Sequence, residues 1–91
     1  MKLKVLIIED EKPAQEHLER QLKRVDPEAI ILAQLTTISE AVTWLENESA
    51  DLIFMDIHLA DGSSFAIFDQ VKVDIPIIFT TAYDAYALKA F

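Results

Sequence analysis

The chain has 91 residues, of which 52% are hydrophobic and 26% charged, proportions that call for one small domain and favour a packed globule over a disordered chain. Asp+Glu number 16 against 8 Lys+Arg, a formal net charge of -8, which disfavours direct contact with a nucleic-acid backbone and favours cations or a basic protein face. Cysteine is absent, so disulfides and thiolate chemistry are excluded, and the opening apolar stretch is too short for a signal peptide or membrane span. A cytoplasmic location and no membrane partner are expected.

The apolar run Leu3 to Ile8 predicts a buried strand, followed by acidic Glu9-Asp10-Glu11 and by Pro13, which suits the first turn of a helix. Ala14, Leu18, Leu22 and Val25 recur at helical spacing and predict the buried stripe of that helix, with His17 at its boundary or surface. Asp26-Pro27 breaks the helix, and Ala29 to Leu35 predicts a second strand. Thr37 and Glu40 have capping-box spacing ahead of a second helix buried through Ile38, Ala41, Val42 and Leu45. Asp51 to Met55 predicts a short strand ending at Asp56, and a turn through His58 to Gly62 leads into a third helix carrying Phe65, Phe68 and Val71. Trp44, Phe54, Phe65 and Phe68 are expected to pack in the core. Pro76 opens a fourth strand, Ile77 to Thr80, and Asp84 is placed to cap a further helix containing Tyr86, Leu88 and Phe91.

Strands apolar on both faces need helices above and below, so the expected class is α/β, an open parallel sheet with helices on both faces. Such sheets place their sites at the carboxyl ends of the strands. Glu9 and Asp10 follow the first strand, Asp56 follows the third, and Thr80-Thr81 end the fourth. Three converging carboxylates repel one another unless a cation sits between them. Oxygen-only ligands favour Mg²⁺ or Mn²⁺ over zinc. A metal beside a carboxylate and hydroxyls suggests phosphoryl chemistry, with Asp56 as the nucleophile and Thr81 or Thr80 donating to the phosphoryl group.

Three blocks carry a family resemblance: Val5 to Glu11, Met55 to Gly62, and Pro76 to Asp84, continued by Tyr86 to Phe91. In this order and separation they resemble the receiver domain of bacterial two-component response regulators, and in particular the subgroup whose receiver precedes a LytTR-type DNA-binding domain. The resemblance implies a flavodoxin-like (CheY-like) fold and a phosphoacceptor, not an enzyme. Asp56 would accept a phosphoryl group from a sensor histidine kinase. Asp10, Asp56 and the backbone carbonyl of His58 would bind Mg²⁺, with Glu9 acting mainly through water. Thr81 would turn its hydroxyl toward the acyl phosphate, Thr80 being the weaker candidate, and Tyr83 and Tyr86 would lie near a signalling face.

Receivers of this family continue into a fifth strand, ending in a lysine, and a fifth helix. Residues 1–91 are therefore expected to be a receiver domain without its C-terminal portion, with slower phosphorylation but intact Mg²⁺ binding. The uncovered edge of the fourth strand would be a template for a homodimer or strand-exchanged dimer. DNA would be contacted through an attached effector domain. Two other readings stay open: a truncated or degenerate receiver acting as a protein-binding or dimerising module, and a Mg²⁺-dependent aspartyl phosphohydrolase, for which no separate acid–base residue or substrate cap is visible.

Overall fold

Val5, Leu6, Ile7 and Ile8 are all completely buried in the computed structural model, which describes residues 2–80. They form strand β1 (Lys4–Ile8). Successive side chains on a strand point to opposite faces, so four buried neighbours in a row demand cover on both sides of the sheet. Leu6 and Ile8 face a cluster completed by Ile53, Met55, Ile38, Ala41, Leu59 and Ile67, whereas Val5 and Ile7 face one built with Leu22 and Ala29.

The covering helices are α1 (Lys12–Val25) on the Val5 and Ile7 side and α2 (Ile38–Asn47) with the short α3 (Ile67–Gln70) on the other. Between them run β2 (Ile30–Leu35), β3 (Leu52–Asp56) and β6 (Ile77–Thr80), and the parallel sheet has the order β2-β1-β3-β6. The chain steps from β1 outward to β2, then crosses back to β3 on the other flank. The switch in direction between β1 and β3 leaves a crevice at their carboxyl ends. Register places Ile8 opposite Met55 and Asp56 opposite Thr80, so the residues after β1 and the last residue of β3 meet there.

The expected α/β class and strand order of appearance are present, with four departures. Val25 is 83% exposed, because it is the last residue of α1 and the backbone turns extended at Asp26; buried Gln15 joins Leu22 in the stripe instead. The second strand lies at the sheet's edge, so Ile30 and Leu32 remain exposed rather than buried on both faces. The third helix is only a 3₁₀ turn, Ser64–Ala66, running into α3. Ile67 is its buried anchor, and Phe65 and Phe68 are exposed, packing instead on the surface with ring centroids 6.5 Å apart and with Phe79 5.5 Å from Phe65. Finally, the expected turn after Asp56 is a two-stranded antiparallel ribbon, β4 (His58–Leu59) with β5 (Gly62–Ser63). The expected helix from Asp84, with Tyr83, Tyr86, Leu88 and Phe91, lies outside the described residues.

The anticipated capping box at α2 is formed. Thr37 Oγ1 accepts from the Glu40 N–H at 3.0 Å, and the Glu40 carboxylate accepts from the Thr36 N–H and hydroxyl at 3.0 and 2.9 Å. Asp61 adds a second, tertiary cap, accepting from the N–H groups of Ile38 at 2.8 Å and Ser39 at 3.3 Å. These bonds hold the carboxyl groups of both Glu40 and Asp61 below their ordinary range.

Thr37→Ala is expected to cost about 1 kcal/mol in urea unfolding, since it orphans one helix donor. A lowered carboxyl pKa stabilises the fold above the unfolded pKa, and that contribution disappears as pH falls through the folded value. The stability advantage of wild type over Asp61→Asn should therefore shrink between about pH 5 and about pH 3, read as converging urea midpoints.

Candidate metal centre

Two adjacent strands deliver the acidic residues. β1 ends at Ile8, and the Glu9 N–H donates to the Leu35 carbonyl at 2.8 Å, so the backbone after the strand is still held against β2. Gln15, buried on α1, donates through its side-chain amide to the Glu9 carbonyl. Glu9 is thus fixed from both sides, by the edge strand and by the helix that follows it. Asp56 ends β3, and the Ile57 N–H donates to its Oδ1 at 2.8 Å.

The carboxylate oxygens offered by Glu9, Asp10 and Asp56 all lie within 4.8 Å of one another. Glu9 is buried, while Asp10 and Asp56 are half-buried at the crevice. Burial pushes the Glu9 carboxyl up to about 8; hydrogen bonding and charge repulsion from Asp56 and a hydrogen bond with Asp10 act in the same direction, opposed by the Glu11 N–H that donates to Glu9. A compact set of oxygen donors with this much mutual repulsion can hold a divalent cation of the hard type, whose charge offsets the repulsion.

The sequence-derived trio is therefore brought together. Thr80 lies opposite Asp56 at the end of β6, and His58 begins β4 two residues beyond Asp56, with its side chain exposed. Thr81 lies outside the described residues. Gln15 was missed, although its spacing to Leu18 and Leu22 puts it on the stripe that faces the sheet. Asp61 was missed as well, because a contact between residues 23 positions apart leaves no local pattern.

Residues 5–91 match the response regulator receiver domain. The chain belongs to that family. Among sequence relatives, the receiver is 38% identical over 90 residues to the sensory transduction protein LytT of Enterococcus faecalis, and 38% identical over 92 residues to LytT of Bacillus subtilis. It aligns over 96% and 98% of its own length but spans only 37% and 38% of those proteins. Among solved structures, the receiver superposes with a TM-score of 0.76 and 32% identity on the receiver domain of the Erythrobacter litoralis response regulator PhyR, covering 96% of this chain and 68% of that one. A TM-score of 0.76 with 25% identity relates it to the MaeR response regulator bound to beryllium trifluoride, covering 97% of this chain and 75% of that one. Receivers are phosphoacceptor modules of two-component signalling rather than turnover enzymes, which removes the phosphohydrolase alternative. Among the described residues, no helix is long and apolar enough to cross a membrane.

Divalent cation is expected to raise the melting temperature of the receiver, and Asp10→Asn to abolish the rise. At a free cation concentration about 100-fold above Kd the stabilisation is about 2.7 kcal/mol, readable by thermal denaturation with and without chelator.

Proposed function

We propose that Asp56 is the phosphoacceptor of this receiver and that it works with Mg²⁺ held by Asp10, Asp56 and the backbone carbonyl of His58, with Glu9 acting mainly through water. The observation that carries the reading is the meeting of Glu9, Asp10 and Asp56 within 4.8 Å at the switch point between β1 and β3. The donor set is all oxygen, which fits a hard cation, and Mn²⁺ would fit the same ligands. When bound, the cation supplies positive charge against the phosphoryl oxygens.

The chain's own residues do the rest. Ile57 orients the Asp56 carboxylate by donating to Oδ1, and a carboxylate oxygen of Asp56 attacks phosphorus in line. A P–O bond forms to Asp56 as the bond from phosphorus to the donor breaks. The leaving group is the imidazole of a sensor kinase phosphohistidine, or acetate when the donor is acetyl phosphate. Thr81 donates its hydroxyl to the transferred group in this reading, and Thr80, opposite Asp56, is the second candidate.

Residues 1–91 are read as the receiver part of a longer cytoplasmic regulator. The LytT relatives, of which the chain spans 37% and 38%, support a histidine kinase upstream and a LytTR-type DNA-binding effector downstream. A net charge of -8 assigns DNA contact to that effector rather than to this segment.

Incubation with acetyl phosphate and Mg²⁺ is expected to add about 80 Da to the intact mass, one phosphoryl group per chain. Chelator or Asp56→Asn should abolish the adduct. Labelling that persists in Asp56→Asn would refute the assignment.

A further inference from the structure

We infer that Asp61 is a positioning residue for phosphoryl transfer: by clamping the ribbon that follows Asp56 onto the N-terminus of α2, it holds the acceptor and the His58 carbonyl in place. The inference rests on the reading of Asp56 as the acceptor.

The segment from Asp56 to Ser64 is tied at its base and at its tip. At the base, Ile57 is bonded through both its peptide groups: its N–H donates to Asp56 Oδ1 and its carbonyl accepts from the Ser64 N–H, each at 2.8 Å. Between base and tip, β4 and β5 pair His58 with Ser63 and Leu59 with Gly62, and Leu59 is buried in the core cluster that includes Ile38. At the tip sits the turn Ala60-Asp61, whose carboxylate bonds to Ile38 and Ser39. Gly62, at φ 136°, supplies a backbone conformation that other residues rarely adopt, and a Cβ there would only touch Ile38 Cδ1, at 3.4 Å.

The bond caps the helix and also joins it to the ribbon. The first four N–H groups of a helix lack internal partners. The Thr37 hydroxyl takes the one on Glu40, while the Ala41 N–H makes the first regular helical bond, to the Thr37 carbonyl. Those on Ile38 and Ser39 go to Asp61, at a helix start bordering an open groove of about 370 Å³ lined in part by Val42, Thr43 and Gln70. A negative charge at the positive end of α2 is favourable, and it joins two elements that are otherwise linked at this end by the Leu59–Ile38 cluster. A rotation of the ribbon tip would be transmitted through its short ladder to Ile57 and His58, the residues adjoining the acceptor.

The test compares wild type, Asp61→Ala, Asp61→Asn and Thr37→Ala in acetyl phosphate labelling across a Mg²⁺ titration, with far-UV circular dichroism to establish that each is folded. Asp61→Ala should raise the Mg²⁺ concentration for half-maximal rate, or lower the limiting rate, on the order of tenfold or more, while the final extent stays at one phosphoryl group per chain. Asp61→Asn, whose side-chain oxygen still accepts from Ile38, should recover part of the loss. Thr37→Ala, which weakens the same helix end without touching the ribbon, should label like wild type. Equal effects of Asp61→Ala and Thr37→Ala would overturn the proposal by reducing Asp61 to a helix cap. So would Asp61→Ala, or a folded Asp61→Asn where the alanine variant fails to fold, labelling exactly as wild type. A wild type that takes up no phosphoryl group would overturn the acceptor reading and this proposal with it, an outcome distinct from a labelled wild type matched by its Asp61 variants.

Discussion

Burial of β1 on both faces is the constraint from which the other features follow. Four consecutive aliphatic residues without solvent exposure cannot sit at an edge or on a one-sided sheet. They require a neighbour strand on each flank, supplied by β2 and β3, and a helical layer on each face, supplied by α1 on one side and α2 with α3 on the other. Once the sides and faces are closed, polar residues can gather only at the strand ends. At the carboxyl end the switch point between β1 and β3, on either side of which the chain winds outward in opposite senses, holds a crevice open, and the acids following β1 and ending β3 are placed within it.

This placement has an electrostatic cost. Glu9 is buried beside two other carboxyl groups, and its own carboxyl is pushed up to about 8, first by loss of water and then by its neighbours. A fold seeking stability alone would avoid such a cluster. The surroundings hold it in place instead: the Glu9 backbone bonds to Leu35 and Gln15, and the Asp56 carboxylate is oriented by Ile57. Acids held together against their repulsion can take a divalent cation, because the same repulsion that weakens the apo form makes a bound cation favourable.

The ribbon after Asp56 extends the site beyond the sheet edge. In sequence it is a short polar turn; in space it reaches α2, so the residues next to Asp56 are joined to a helix whose own start lies 18 residues earlier in the chain. The surface aromatic group of Phe65, Phe68 and Phe79 lies on the other side of this ribbon in sequence and joins the 3₁₀ turn before α3 to β6 through Phe65 and Phe79. Both contacts connect elements around Asp56 through side chains rather than by the sheet ladder.

Local physics made much of this legible in the residues. The unbroken run at Val5–Ile8 could only be a two-face-buried strand, Thr37 and Glu40 mark a helix start through bonds to backbone within four residues, and carboxylates directly after apolar strands fall at the sheet's carboxyl edge whatever the details of packing. Tertiary structure alone decided which strand lies outermost, and hence why Ile30 and Leu32 stay exposed despite reading like core. It also decided that Phe65 and Phe68 pack with each other at the surface while Ile67 takes the core, because a helix of barely more than a turn can bury only one position. Gln15 and Asp61 belong to the same class: whether a polar side chain meets solvent or a distant backbone group depends on which elements come together, and hydrophobic periodicity carries no information about that.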